Sequence, residues 1–363
     1  MTERLKVVVI GAGRRVHNVY GPILQTMCHH VEWIGVFSRQ AERAQEVGKR
    51  FDVPAYTDIN AMIEKERPDI AIVSVSYAAN GPIGEQLATY GIHLLLETPI
   101  APELNYADRI IDAAKQSGAI IEVAEQYYRR PLECLKQELL AAGVFGRILT
   151  AANDFMGHDY HGVSLIRSYI GFDQRVIAVH AMQRAHDVFG AAQNVSVPSG
   201  SETWLHSVLE FEGGQQGIFD FTSITYNSPI RWQRSTRFFG THGMAVGDEL
   251  AYTDQRGERV RPIRYVRRFH NVGGAEVVTH IVADTETPVV WTNPLSEYYF
   301  DDEMLAVALC YHSLHTAIVE GHEPSYGALQ ARRDQAVVLA MRDSAQRGGE
   351  RTVIESDLWI GQV

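Results

Sequence analysis

The sequence is poor in cysteine and has no excess of basic charge. Cys28, Cys134 and Cys310 are its three cysteines, far apart and without a Cys-x-x-Cys pair, which excludes a disulfide framework. Lys and Arg total 33 against 44 Asp and Glu, a net charge of −11. That balance argues against nucleic acid or an anionic membrane as partner. No run reaches the roughly 18 apolar residues of a membrane span. No signal-peptide pattern precedes the first apolar run, so a cytoplasmic location is expected. There is no internal repeat, low-complexity tract or long flexible linker. No sequence-local set of ligands converges for a metal, so none is expected. What is present is 45% hydrophobic and 21% charged residues, the balance of a soluble globular protein. A chain of 363 residues is long enough for two domains. The 15 histidines are the one unusual count.

The first third alternates short apolar runs with helical periods. Strands are expected at Leu5–Ile10, Glu32–Phe37, Ile70–Val75, His93–Leu96 and Ile120–Ala124. Helices are expected at Val16–Met27, Ala41–Arg50, Ile59–Lys65, Ile83–Tyr90 and Leu104–Ser117. Such alternation predicts an α/β fold, a doubly wound parallel Rossmann sheet over residues 1–125. From Gln126 the pattern changes. After a helix at Pro131–Ala142 come period-2 segments at Arg147–Phe155, Val176–Met182, Thr203–Glu210, Gly217–Ile224 and Arg237–Phe239. Val260–Phe269 and Val277–Ala283 add further strands, and helices at Asp302–Glu320 and Gly327–Gln346 close the chain. Residues 126–363 thus read as a second α/β domain with a large, mostly antiparallel open sheet. Apolar residues on both parities of Thr203–Ile224 suggest that its open face is covered by another subunit, giving a homodimer or homotetramer.

Gly11-Ala-Gly13-Arg-Arg-Val16 ends the first strand and opens the first helix. Two glycines there permit a tight turn and close approach of a pyrophosphate to helix N-terminal amides. The third motif position, usually glycine, is Val16. Arg14, Arg15 and, after the third strand, Ser76 join Gly11 and Gly13 as candidate cofactor contacts. The second strand ends in Ser38-Arg39 where an acid usually binds the ribose of NAD. A hydroxyl and a guanidinium suit a 2′-phosphate, favouring NADP, with NAD the alternative.

The order of elements around Glu97-Thr98-Pro99 resembles that of the Gfo/Idh/MocA oxidoreductases, relatives of glucose–fructose oxidoreductase and inositol dehydrogenase. The resemblance extends through His161–Gly171 to the last helix. It implies an N-terminal Rossmann domain, a C-terminal open-sheet domain and a nicotinamide cofactor. The family signature is Glu-Lys-Pro, and its lysine contacts the reacting hydroxyl and the nicotinamide ribose; here that position is Thr98. Glu97 and Pro99 match and are expected to shape the turn beside the nicotinamide. The second signature sets an Asp four residues before a catalytic His at the start of a helix. By position His161 is that histidine, and Gly157 stands where the Asp belongs. His158 and Asp159 lie close enough in sequence to take over part of its role.

The resemblance implies an NAD(P)-dependent oxidoreductase acting on a hydroxyl of a sugar, cyclitol or glycoside. A histidine near its intrinsic pKa suits removal of the hydroxyl proton. Glu125–Pro131 follows the last Rossmann strand, at the edge where ligands bind. Gln126 and Tyr127 are therefore candidate substrate contacts, and Tyr128 a candidate acid or base. Two other readings stay open: redox-assisted glycoside cleavage or elimination with a recycled cofactor, and a non-catalytic ligand-binding protein. Arg231, Arg234 and Arg237 read as an exposed charged stretch, or as one arginine reaching an acidic substrate.

Overall fold

The computed structural model describes residues 4–188, 200–226, 228, 231–254, 257 and 259–360. The chain divides into two compact units that are not contiguous in sequence. The first holds Met1–Arg130, His270–Val277 and Pro294–Gln335; the second holds Pro131–Phe269, Val278–Asn293 and Ala336–Val363.

The first unit is built on six parallel strands, β1 (Leu5–Ile10), β2 (Val31–Phe37), β3 (Ala55–Tyr56), β4 (Ile70–Val73), β5 (His93–Leu96) and β6 (Ile121–Val123). Their order is β3-β2-β1-β4-β5-β6, a doubly wound sheet whose direction of winding reverses between β1 and β4. β1, β4 and β5 are almost wholly buried, as their continuous apolar runs require. The two-residue β3 is too short and too polar to show as a period in the sequence. The first helix differs from expectation. Val16–Tyr20 is a π-helical turn, and the α-helix proper is Gly21–Thr26. Close packing also moves: a Cβ on Gly21 would come within 2.3 Å of the Phe51 ring. The helix expected at Ile83–Tyr90 spans Tyr77–Thr89 with Pro82 inside it. Gly81 and Pro82 read as breakers, but Gly81 lies against Tyr106 and Gly84 against Ile110, so the helix is held by packing on Leu104–Ser117.

The second unit contains most of the remaining strands: β7 (Ile148–Asp154), β8 (Val176–Asp187), β9 (Ser201–Phe211), β10 (Gln216–Thr222), β11 (Ser235–Gly240), β12 (Gly243–Val246), β13 (Glu249–Thr253) and β14 (Val260–Ile263). They form a nine-stranded sheet, β14-β13-β12-β11-β7-β10-β9-β8, closed at its edge by Thr352–Val353. Its pairs are antiparallel except β7 with β10. β12 and β13, of four and five residues, are too short to be expected from sequence. The segment Val260–Phe269 is two strands, β14 and Tyr265–Val272. The latter joins Ala275–Ala283 and Val289–Thr292 in a small separate sheet. Helix Asp159–Ile170 packs on β7 and β10.

In the first unit, Glu122 of β6 is fully buried and pairs with Arg129. Ser313 Oγ donates to its other oxygen at 2.9 Å, and the Tyr326 amide donates there at 3.3 Å. Arg129 also donates to the carbonyls of Leu309 and Glu125. Burial raises the Glu122 pKa, against the lowering effect of Arg129. Glu122→Ala should leave a buried guanidinium without its carboxylate and cost about 3–5 kcal/mol, read as a lower denaturation midpoint; Glu122→Gln should cost less.

Candidate active site

The two turns that leave β1 and β4 start in contact. Gly11 has φ +121°, and a Cβ there would sit 2.0 Å from the Ser74 carbonyl oxygen, so only glycine fits. Beyond that contact the chains diverge around a cleft of about 1040 Å³. Gly11, Gly13, Arg14, Arg15, Ser38, Arg39 and Ser76 all line it. A Cβ on Gly13 would stand in open space, the cradle a phosphate-binding turn needs. The cleft also takes in Arg43 and Gln86, which sequence reasoning missed. Arg43 lies four residues after Arg39, one helical turn on, and that spacing was the available signal. Arg39 and Arg43 are both exposed. These residues fit a dinucleotide: small residues at the turn, a helix start beside it, and cations at the end of β2.

Arg15, which lines the cleft, also belongs to a hydrogen-bonded cluster. Arg15 Nε donates to Glu97 Oε1 at 2.6 Å, and Tyr20 donates to the same oxygen at 2.7 Å. The Thr98 amide donates to Glu97 Oε2, and Arg15 Nη2 donates to Gln126 Oε1. Burial, reinforced by Glu97, pushes the Tyr20 hydroxyl well up, so it stays a donor. Buried Asn80 donates to the carbonyls of Glu97 and Pro99 at 2.8 and 2.7 Å and so holds the turn. The Thr98–Pro99 peptide is cis. Tyr20 and Asn80 carry no sequence motif and were not foreseen. Tyr127 is buried, with the Arg130 guanidinium 4.4 Å above its ring. Tyr128 is buried against Tyr326 at 5.9 Å between ring centroids. Burial pushes its hydroxyl well up, so it stays protonated.

In the second unit, β7 runs into the turn Phe155–His158, which opens helix Asp159–Ile170. Phe155 and Asp159 take left-handed φ of +61° and +40°, strain of a kind that collects at functional sites. Buried Asn153 clamps the turn: its Nδ2 donates to the Gly157 carbonyl at 2.9 Å, and the Gly157 amide donates to its Oδ1 at 2.8 Å. A Cβ on Gly157 would meet the His161 Cβ at 2.7 Å and the Gly162 amide at 2.9 Å. The turn as built therefore has no room for an aspartate at 157. Gly162 faces the Gly157 carbonyl just as closely. The two glycines let the turn lie flat on the helix start and fix His161.

His161 is buried in a ring of aromatic groups. His158 lies 4.9 Å away and Tyr160 4.6 Å, between ring centroids. Phe221 and Tyr226 extend the wall at 6.0 and 5.9 Å from His158. The His158 amide donates to the Tyr226 hydroxyl. The Asp159 carboxylate is paired with Arg342 at 3.1 Å. His180, on β8, pairs with Glu210. Two of the three spaced arginines are paired on the sheet, Arg231 with Glu202 and Arg237 with Asp154. They are not a merely solvated stretch. Arg234 lies over the Tyr226 ring.

A doubly wound sheet with a glycine turn at its reversal is the frame on which dinucleotide sites are built. Residues 5–125, about a third of the chain, match the model of the oxidoreductase family with an NAD-binding Rossmann fold, Gfo/Idh/MocA. The whole chain shares the fold of solved relatives. Levoglucosan dehydrogenase in complex with NADH is 17% identical, with 97% of this chain and 100% of that one covered and a TM-score of 0.75. The WlbA dehydrogenase from Bordetella pertussis, in complex with NADH and UDP-GlcNAcA, is 16% identical over 98% and 100%, TM-score 0.68. A curated relative, dTDP-3,4-didehydro-2,6-dideoxy-alpha-D-glucose 3-reductase of Streptomyces violaceoruber, is 23% identical over 126 residues. That match spans 35% of this chain and 37% of the reductase.

Gly157→Ala should destabilise the second unit by about 1–3 kcal/mol and disturb the His161 turn. Thermal unfolding and the chemical shifts of the His161 ring measure the two effects separately.

Proposed function

We propose that this protein is an NAD(P)-dependent oxidoreductase acting on a hydroxyl group of a sugar, cyclitol or glycoside. The observation that carries the reading is the pairing, in one chain, of a dinucleotide cleft with a histidine fixed in an aromatic-walled turn. When bound, the nicotinamide supplies the acceptor or donor of hydride. His161 takes the hydroxyl proton in oxidation and returns it in reduction. Tyr160, Tyr226 and Phe221 offer ring faces of the kind on which the C–H faces of a sugar stack. The turn clamped by Asn153 keeps the imidazole in place without spending substrate binding on it. The sugar ligands and substrates of the similar proteins support the substrate class.

NADP is the preferred cofactor in this reading. Ser38, Arg39 and Arg43 present a hydroxyl and two guanidinium groups at the end of β2, and none of the three is an acid that would repel a 2′-phosphate. The active form is a homo-oligomer. Met182, Val208, Phe239, Met244 and Val246 are exposed on one face of the large sheet, a patch a second copy would cover.

Three measurements test these statements. Reduction of NADP+, followed by the absorbance of the reduced ring across a panel of sugars, cyclitols and glycosides, should find a substrate. His161→Ala should then lower the rate roughly a hundred- to ten-thousandfold while NADPH still binds; an unchanged rate removes His161 from the chemistry. Fluorescence titration should show NADPH binding more tightly than NADH, and Arg39→Ala with Arg43→Ala should erase most of the difference. Light scattering should give an oligomer that Met244→Glu weakens.

A further inference from the structure

Arg15 differs from the other arginines of the cleft. Arg14, Arg39 and Arg43 are exposed, so their charges are screened by water. The Arg15 side chain is about one-third exposed and is fixed at both ends of its guanidinium. Nε is bonded to Glu97, just after β5, and Nη2 to Gln126, shortly after β6. Arg15 lines the cleft itself. Its partners stand past the C-terminal ends of β5 and β6, in the second half of the doubly wound sheet. In such a sheet each half takes one mononucleotide, and the end of β2 takes the adenosine. The second half is left for the nicotinamide. Burial works against the guanidinium charge, but Glu97 and Tyr20 more than offset it and hold Arg15 charged.

We propose that Arg15 sets the redox poise of the bound nicotinamide, favouring the reduced cofactor over the oxidised one. The chemistry is a matter of charge. Hydride delivered to the oxidised ring brings two electrons and one proton and turns a cationic ring into a neutral one. The Glu97 carboxylate would by itself favour the cationic form over the neutral one, and Arg15, paired with it, cancels that preference. Oxidation of a hydroxyl substrate, uphill when the cofactor is free, is eased by the same amount. Arg15 is a positioning and electrostatic residue here, not a proton carrier. The inference rests on the proposed nicotinamide cofactor and adds to it a role for one side chain.

The test uses the full-length protein and no substrate. NADPH and NADP+ are titrated separately into the wild type, Arg15→Gln and Arg15→Lys, with NADH and NAD+ as a second pair. Arg15→Gln should shift the ratio of the two dissociation constants about tenfold toward the oxidised form, the effect of one nearby charge in a partly solvated cleft. Tenfold corresponds to about 30 mV for a two-electron couple. Arg15→Lys, which keeps the charge, should keep the ratio. Should Arg15→Gln not fold, Arg15→Met makes the same charge change. Equal weakening of both forms in the neutral variant would mean Arg15 only holds phosphate or the fold, and would overturn the inference. A lysine variant that behaves like the neutral one overturns it too. A wild type that binds no dinucleotide at all removes the proposed function along with it, an outcome distinct from the other two.

Discussion

Everything in the first unit depends on two chains leaving the sheet from a single point of contact. β1 and β4 are neighbours, yet the helices that follow them lie on opposite faces because the winding reverses there. Their turns must begin almost touching and then separate. Gly11 against the Ser74 carbonyl is that contact. A side chain at position 11 would push the turns apart at their root and distort the crevice. The cofactor cleft thus follows from strand order and one missing Cβ, and the arginines around it only tune what it holds.

The second unit solves a different problem by similar means. A histidine must be held still at the start of a helix, next to a turn that bends sharply off a strand. Backbone strain at Phe155 and Asp159 is compensated by the two hydrogen bonds of Asn153 and by glycines at 157 and 162, which let backbone lie on backbone. In the first unit backbone meets backbone at Gly11 and Ser74; in the second the buried Asn153 side chain pairs with backbone groups in the interior.

The Rossmann half was largely legible in the sequence because its signals are local. Short β-branched runs, glycine turns and amphipathic helices each show within about ten residues. Where reading failed, a distant partner had decided the outcome. Gly81 looks like a breaker until Tyr106 is found against it. β12 and β13 are too short to signal alone and are held by the strands on either side. Of the candidate site, the glycines, Arg39 and His161 were readable from motif and position. Asn153, Asn80 and Tyr20 were not, since each matters only through a group far along the chain or a backbone carbonyl. Gly157 was noticed as a missing acid; the structure gives it a positive role, as the residue that lets the turn close. The histidine surplus has dispersed into unrelated settings, with His180 on Glu210, His206 on Asp220 and His30 on Glu297.

The buried carboxylate of Glu122 also bears on the order of events during synthesis. Its partners include Ser313 and Tyr326, some two hundred positions downstream. Until the ribosome has passed Tyr326, β6 lacks part of the shell that stabilises its charge. The last strand of the Rossmann sheet therefore gains its full set of hydrogen bonds only from segments far along the chain. The chain must come back to its beginning before the first unit is whole.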